Sequence, residues 1–187
     1  MPPAPFPAAA STVLAPPAPL WQLVLRSLPV PVLMSAICWV GAGVNYLLFH
    51  TLAELFSIVI AMVAMVVVTT SQRFTRNHFV VCIAVAIGWC GGLDLLHMLM
   101  FKGLHLLPSD SANPPTQLWV AARFIQAAAL VTSPLLLNRS VRLLHVQAGF
   151  GVAAALSVTL IAAGLFPTAY VDGQGLTPFK IYAEFAI

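Results

Sequence analysis

An all-α, polytopic transmembrane helical bundle is the fold class this sequence predicts, and three observations predict it. The 187 residues are 60% hydrophobic and only 7% charged, with a mean hydropathy of +0.97. A soluble domain carries roughly 25% charged residues, so lipid must be the solvent over most of this chain. The apolar residues fall into five long stretches and the opening of a sixth. The arginines recur at alternate connections between those stretches, as cytoplasmic loops require.

Residues 1–26 form a Pro- and Ala-rich arm. Its prolines oppose a helix in the first part, and it lacks the basic start and compact apolar centre of a signal peptide. A disordered cytoplasmic arm is expected, with Trp21 to Arg26 at the membrane interface. Residues 27–187 are expected to form one transmembrane domain.

The five complete spans are placed at about 28–44, 46–70, 78–101, 117–137 and 147–166, each near the ~20 residues that cross a bilayer. The first contains Pro29 and Pro31 and is short. A sixth begins near Pro178 and stops at Ile187. A helix that has just entered the membrane should continue, so the domain reads as C-terminally incomplete, a truncated piece of a longer protein.

Arg26, the pair Arg73 and Arg76, and the pair Arg139 and Arg142 mark one side of the membrane. By the positive-inside rule that side is the cytoplasm, and the N-terminus lies there. The turn near Gly43–Asn45 and the loops 102–116 and 167–178 face outward. Small residues at spacing four suggest close helix contacts: Gly88 with Gly92, Gly149 with Ala153, and Gly151 with Ala155. Gly91–Gly92 likewise reads as packing. Pro134 is expected to disturb the end of the fourth span.

Several function classes find no support. The net charge of +3 is scattered, without the basic, aromatic-interleaved stripe of a nucleic-acid binder. Cys38, Cys82 and Cys90 form no C-x-x-C pair, so neither a zinc ribbon nor a redox motif is indicated. No G-x-S-x-G and no phosphate-binding loop is present. An enzyme is not expected, and no cofactor is firmly implied.

The informative residues are the ionisable ones inside the spans, which are expensive there and mark function by default. They are Glu54, Asp94, Arg123, Lys180 and Glu184, with His50 and His97. His50 and Glu54 are four apart on one helix face, as are Trp119 and Arg123, and Lys180 and Glu184; Asp94 and His97 are three apart. At about 1.5 Å per residue, Glu54, Asp94 and Arg123 each lie roughly 10 Å below the outer end of their spans, with Glu184 at a similar depth. The expectation is an outward-facing polar pocket, with Trp119 and Tyr182 as walls. Register-fixing pairs of Glu54 and Asp94 with Arg123 and Lys180 are the bland alternative. His50, Glu54, Asp94 and His97 together also carry metal-ligating chemistry, although their spacing matches no specific zinc signature. His50 and His97 can equally serve as paired haem ligands. His78, His105 and His145 read as solvated or interfacial.

The stretches YLLFHTLAELFSIVIA (46–61), GLDLLHMLMFKG (92–103), PTQLWVAARFI (115–125) and LTPFKIYAEFAI (176–187) resemble the membrane-associated sensor domain of the third MASE type. The resemblance covers about 45–187 and implies the sensory input module of a bacterial inner-membrane receptor. Its counterparts here are His50, Glu54, Asp94, His97, Lys102, Gln117, Trp119, Arg123, Lys180 and Glu184. The partners it implies are the lipid bilayer, an extracellular or membrane-borne ligand, and a missing cytoplasmic output module of histidine kinase or diguanylate cyclase type. A homodimer is compatible with it; nucleic acid is not expected. Two other classes remain open at this point: a small transporter or proton-coupled permease, and a membrane metal- or haem-binding protein.

Overall fold

The computed structural model describes residues 19–71, 77–104, 106–107, 109, 111–137 and 141–187. Most of the expected arm, and with it Arg73, Arg76, His105 and Arg139, falls outside the described residues. The chain divides into two units, 1–37 and 38–187.

In the first unit, helix α1 (Leu20–Ser27) puts Gln22 and Arg26 four residues apart, opposite Leu20, Trp21 and Val24. That segregation suits a helix at an interface. Helix α2 (Pro29–Val44) begins on Pro29, tolerated in a first turn because its missing N–H would have no partner there.

In the second unit, Asn45 separates α2 from α3 (Tyr46–Thr70). Its side chain accepts the Leu47 N–H at 2.7 Å, capping the new helix. Asn77 does the same for α4 (His78–Met100), accepting from Phe79 and Val80. Helix α5 spans Asn113–Thr132 and runs on as a 3₁₀ turn, Ser133–Leu136, at Pro134. Helix α6 covers Leu143–Ala162, and α7 covers Pro178–Ala186. Together with α1–α2 taken as one span, α3, α4, α5 and α6 make five helices long and apolar enough to cross a membrane.

Three expected boundaries move. The first span reaches back from 28 to Leu20, so the last residues expected in the disordered arm are helical: Leu28 N–H bonds to the Val24 carbonyl and its own carbonyl accepts from Val32, which joins α1 to α2. The fourth span starts at Asn113 rather than 117, because Pro114 and Pro115 occupy the first turn, where their missing N–H groups cost nothing. The fifth runs 143–162 rather than 147–166. Gln147 is accommodated inside it by accepting the Trp89 indole N–H at 2.9 Å, and Gly164, at φ +69°, turns the chain out after Ala163.

Helix α4 is the hub, packing against α3, α5 and α6, and half of its apolar stretch is buried. Cys90, Leu93, Leu118, Ala122 and Ala154 form the core, closed by Leu96, Ile125 and Val158. Gly88 is a true contact point: a Cβ there would lie 2.7 Å from Met65 Cβ. Gly91, more than Gly92, touches α3 closely, through Ala61. In α6 it is Gly151 that receives the Trp89 ring, while nothing approaches Gly149, which is therefore not a contact face. The outer faces of α3 (Val59, Ile60, Val63, Val66) and α6 (Val152, Leu156) are exposed and apolar. Only a lipid environment makes such faces stable.

One polar connection fixes the end at which α3, α5 and α7 begin and α4 and α6 finish. Tyr170–Val171 (β1) pairs antiparallel with Gly175–Leu176 (β2) around a tight turn with Gly173 at φ +82°. Asn113 Oδ1 accepts the Ala169 and Tyr170 N–H groups at 2.8 and 3.0 Å. Gln117 Nε2 donates to the Phe166 and Pro167 carbonyls. The hairpin is thus tied to the first turns of α5, and Thr177 then caps α7.

Candidate functional site

The intramembrane ionisable residues gather at that same end, in three connected groups. Their depth follows from where each helix starts: Glu54 is eight residues into α3 and Asp94 six residues from the end of α4, about 12 and 9 Å by helical rise.

The first group joins α3, α4 and α5. Glu54 Oε1 stands 3.4 Å from His50 Nε2 and 3.1 Å from His97 Nε2. His50 and Glu54 share a face because they are one turn apart. His97 is 7% exposed, and its Nδ1 lies 2.7 Å from the Pro115 carbonyl. A carbonyl only accepts, so Nδ1 carries a hydrogen and donates it. Pro115 has no N–H, but its carbonyl, in the first turn of α5, is directed at α4. Tyr46 stacks on the His50 ring at 5.9 Å and Phe101 lies 4.4 Å from it, so the imidazole is packed by two aromatic rings. Among the described residues, no hydrogen-bond partner reaches the buried His50 Nε2 and Glu54 Oε2 atoms.

The second group joins α4 and α5. Arg123 Nη2 donates to Asp94 Oδ2, and Arg123 Nη1 donates to Gln126 Oε1 at 2.6 Å. Asp94 Oδ1 and Arg123 Nε are buried and unpartnered. The third group joins α5 and α7. Lys180, 6% exposed, pairs with Glu184 and sits over the Trp119 ring, 3.9 Å from its centroid; Arg123 approaches the same ring at 5.7 Å. Trp119 therefore links the second and third groups through its electron-rich face.

The residues expected at the site are thus all at one end, with different partners from those anticipated. Asp94 pairs with Arg123, as the register-fixing alternative has it. Glu54 faces the two histidines, not Arg123 or Lys180. Lys180 takes its own helical neighbour, Glu184, whose side chain is half exposed. Asp94 does not join the cluster of metal-ligating atoms, which among the described residues consists of His50, Glu54 and His97. A haem held by both Nε2 atoms would have to displace the Glu54 oxygen that both of them already face. Gln117 is buried but spent on the hairpin carbonyls, and Tyr182 is 73% exposed and walls nothing. Lys102 makes a half-exposed pair with Asp172 of the hairpin at 3.2 Å.

Sequence reasoning missed Gln126, Phe101, Tyr46 and the Pro115 carbonyl. Gln126 had a signal, an amide inside a span three residues from Arg123. A backbone carbonyl has none. Two apolar grooves lie along α6, of about 420 and about 360 Å³. Neither is lined by any of these polar residues.

Fold and site together define a multi-pass membrane protein in which a paired, ionisable layer ties four helices at one end. Residues 42–187 match the family of membrane-associated sensor domains, MASE3, and the chain belongs to that family. No curated protein and no solved structure shows a significant match to it.

Proposed function

We propose that this chain is the sensory input module of a bacterial inner-membrane signalling receptor. It takes up an extracellular or membrane-borne cue at the polar layer and passes a change in helix packing to a cytoplasmic output module of histidine kinase or cyclic-di-GMP type. Family membership supports the sensory reading. The observation that carries the site is the convergence of Glu54, His97 and Arg123 from three helices, with four of the layer's buried polar atoms lacking partners. Unpartnered atoms of this kind leave hydrogen-bonding capacity for a ligand. A cue that binds one packing more tightly than the other shifts the equilibrium between them. The α3–α4–α5 contacts made through Glu54, His97 and the Pro115 carbonyl are the natural element to shift.

The arginines at 26, 73, 76, 139 and 142 support a cytoplasmic N-terminus and an outward-facing layer. A transporter or permease would need polar groups through the other half of the bundle. There, among the described residues, the groove is walled mainly by Cys82, Ile125, Ala128, Leu136 and Ala153, with His145 as its one basic side chain. We therefore propose a role in sensing rather than in transport or catalysis.

The coding sequence that follows Ile187 tests the receptor reading. A kinase or cyclase module in the same frame is the expected finding. Solute uptake by proteoliposomes containing the chain would contradict it.

A further inference from the structure

We infer that His50, Glu54 and His97 bind a divalent transition-metal ion of the zinc and iron(II) class. The inference names a ligand for the layer already read as sensory and rests on that reading for its biological meaning, though not for its chemistry.

Lone pairs crowd together at this cluster. The Pro115 carbonyl takes the His97 Nδ1 hydrogen, so Nε2 of the neutral ring presents a lone pair to Glu54 Oε1, 3.1 Å away. The carboxylate oxygen is also an acceptor. His50 Nε2 stands 3.4 Å from the same oxygen and makes no hydrogen bond. Protons can fill part of this: a protonated His97 donates to Glu54, and a neutral His50 can carry its hydrogen on Nε2. Among the described residues, however, His50 Nε2 and Glu54 Oε2 remain buried without hydrogen-bond partners. Two protonated imidazoles beside a single carboxylate would leave a net positive charge inside the bilayer, which is expensive. A single metal ion satisfies all three atoms at once.

The geometry fits. Tetrahedral bonds of about 2.0–2.1 Å place donor atoms about 3.3–3.4 Å apart. The two nitrogen–oxygen separations are 3.1 and 3.4 Å, and the three residues each offer one donor atom within 4.8 Å of the others. Two imidazoles and one carboxylate form the donor set of zinc centres that keep an open fourth position, and of non-haem iron(II) centres. The contact from His97 Nδ1 to a backbone carbonyl is the outer support that ligating histidines normally have. Tyr46 and Phe101 hold the His50 ring in place. The His50 and Glu54 side chains are each 18% exposed, which leaves a route in from the end of the bundle. Bound there, the ion would clamp α3 to α4 and leave a position for water or an incoming ligand.

The test uses the whole chain, purified in detergent, stripped with chelator and titrated with Zn²⁺ and Co²⁺. Expected is one ion per folded chain, with affinity lowered about tenfold or more in Glu54→Gln and in His97→Ala, and unchanged in the hairpin variant Asp172→Asn. His50→Cys guards against variants that merely misfold. It supplies a metal ligand without an imidazole, so it should keep stoichiometric Co²⁺ and add a thiolate-to-cobalt absorption band. No stoichiometric binding by folded wild-type chain, or equal binding by wild type and Glu54→Gln, overturns the inference. Signalling by a receptor carrying Glu54→Gln is a separate readout. A lost response with no metal in the wild type refutes the metal and keeps the sensory site. Bound metal with an unaltered response does the reverse.

Discussion

His97 of α4 faces Glu54 of α3 across 3.1 Å, while its other ring nitrogen donates to the Pro115 carbonyl of α5 at 2.7 Å. One buried imidazole therefore reads the relative position of three helices. Any change in that packing must alter at least one of its two contacts.

The Asp94–Arg123 pair should behave as a unit. Removing one partner leaves the other charged and poorly solvated, so Asp94→Asn alone should lower stability by about 1–3 kcal/mol, less than a fully buried pair because both groups are partly exposed. The double variant Asp94→Asn/Arg123→Gln should be less destabilised than the sum of the two single changes. Thermal unfolding in detergent measures the coupling; strict additivity would mean the pair does not interact.

Gly88 should not tolerate a methyl group. A Cβ there meets Met65, whereas one at Gly149 meets nothing within 4 Å. Gly88→Ala should therefore destabilise by about 1–3 kcal/mol, and Gly149→Ala should have little effect. Met65→Ala combined with Gly88→Ala should recover part of the loss. The same unfolding assay ranks the three.

Asn113→Ala should free the hairpin. It leaves the Ala169 and Tyr170 N–H groups without their acceptor, at about 1–3 kcal/mol for unsatisfied buried donors. Hydrogen exchange at residues 169–177 should accelerate while exchange in the middle of α4 stays slow. Equal protection in both proteins would remove the hairpin anchor from the account.

Trp119→Ala should loosen α7. Lys180 loses the ring face it sits on, an interaction of about 0.5–2 kcal/mol. Faster exchange over 178–186 is expected, and Trp119→Phe should fall between the variant and the wild type.

Much of this was legible in the sequence because lipid imposes simple rules. Span number and the end-clustering of Glu54, Asp94, Arg123 and Lys180 follow from hydropathy, charge and helical rise. Their pairing was not legible. Which base meets which acid depends on helix rotation, and that is set by contacts such as Gly88 on Met65 and Gly151 on Trp89. Hydropathy starts the fourth span at 117, whereas Pro114 and Pro115 extend α5 back to Asn113 as its first turn. The orientation of His97 depends on the Pro115 backbone carbonyl, which a sequence pattern does not display.

We propose that the polar layer is where the cue is sensed. The most direct measurement is output from a receptor carrying this domain, with Glu54→Gln, Asp94→Asn and Arg123→Met made singly and membrane abundance quantified alongside. The account predicts a response that is lost or locked in each variant at near-normal abundance. Three variants that signal and accumulate as the wild type does would contradict it.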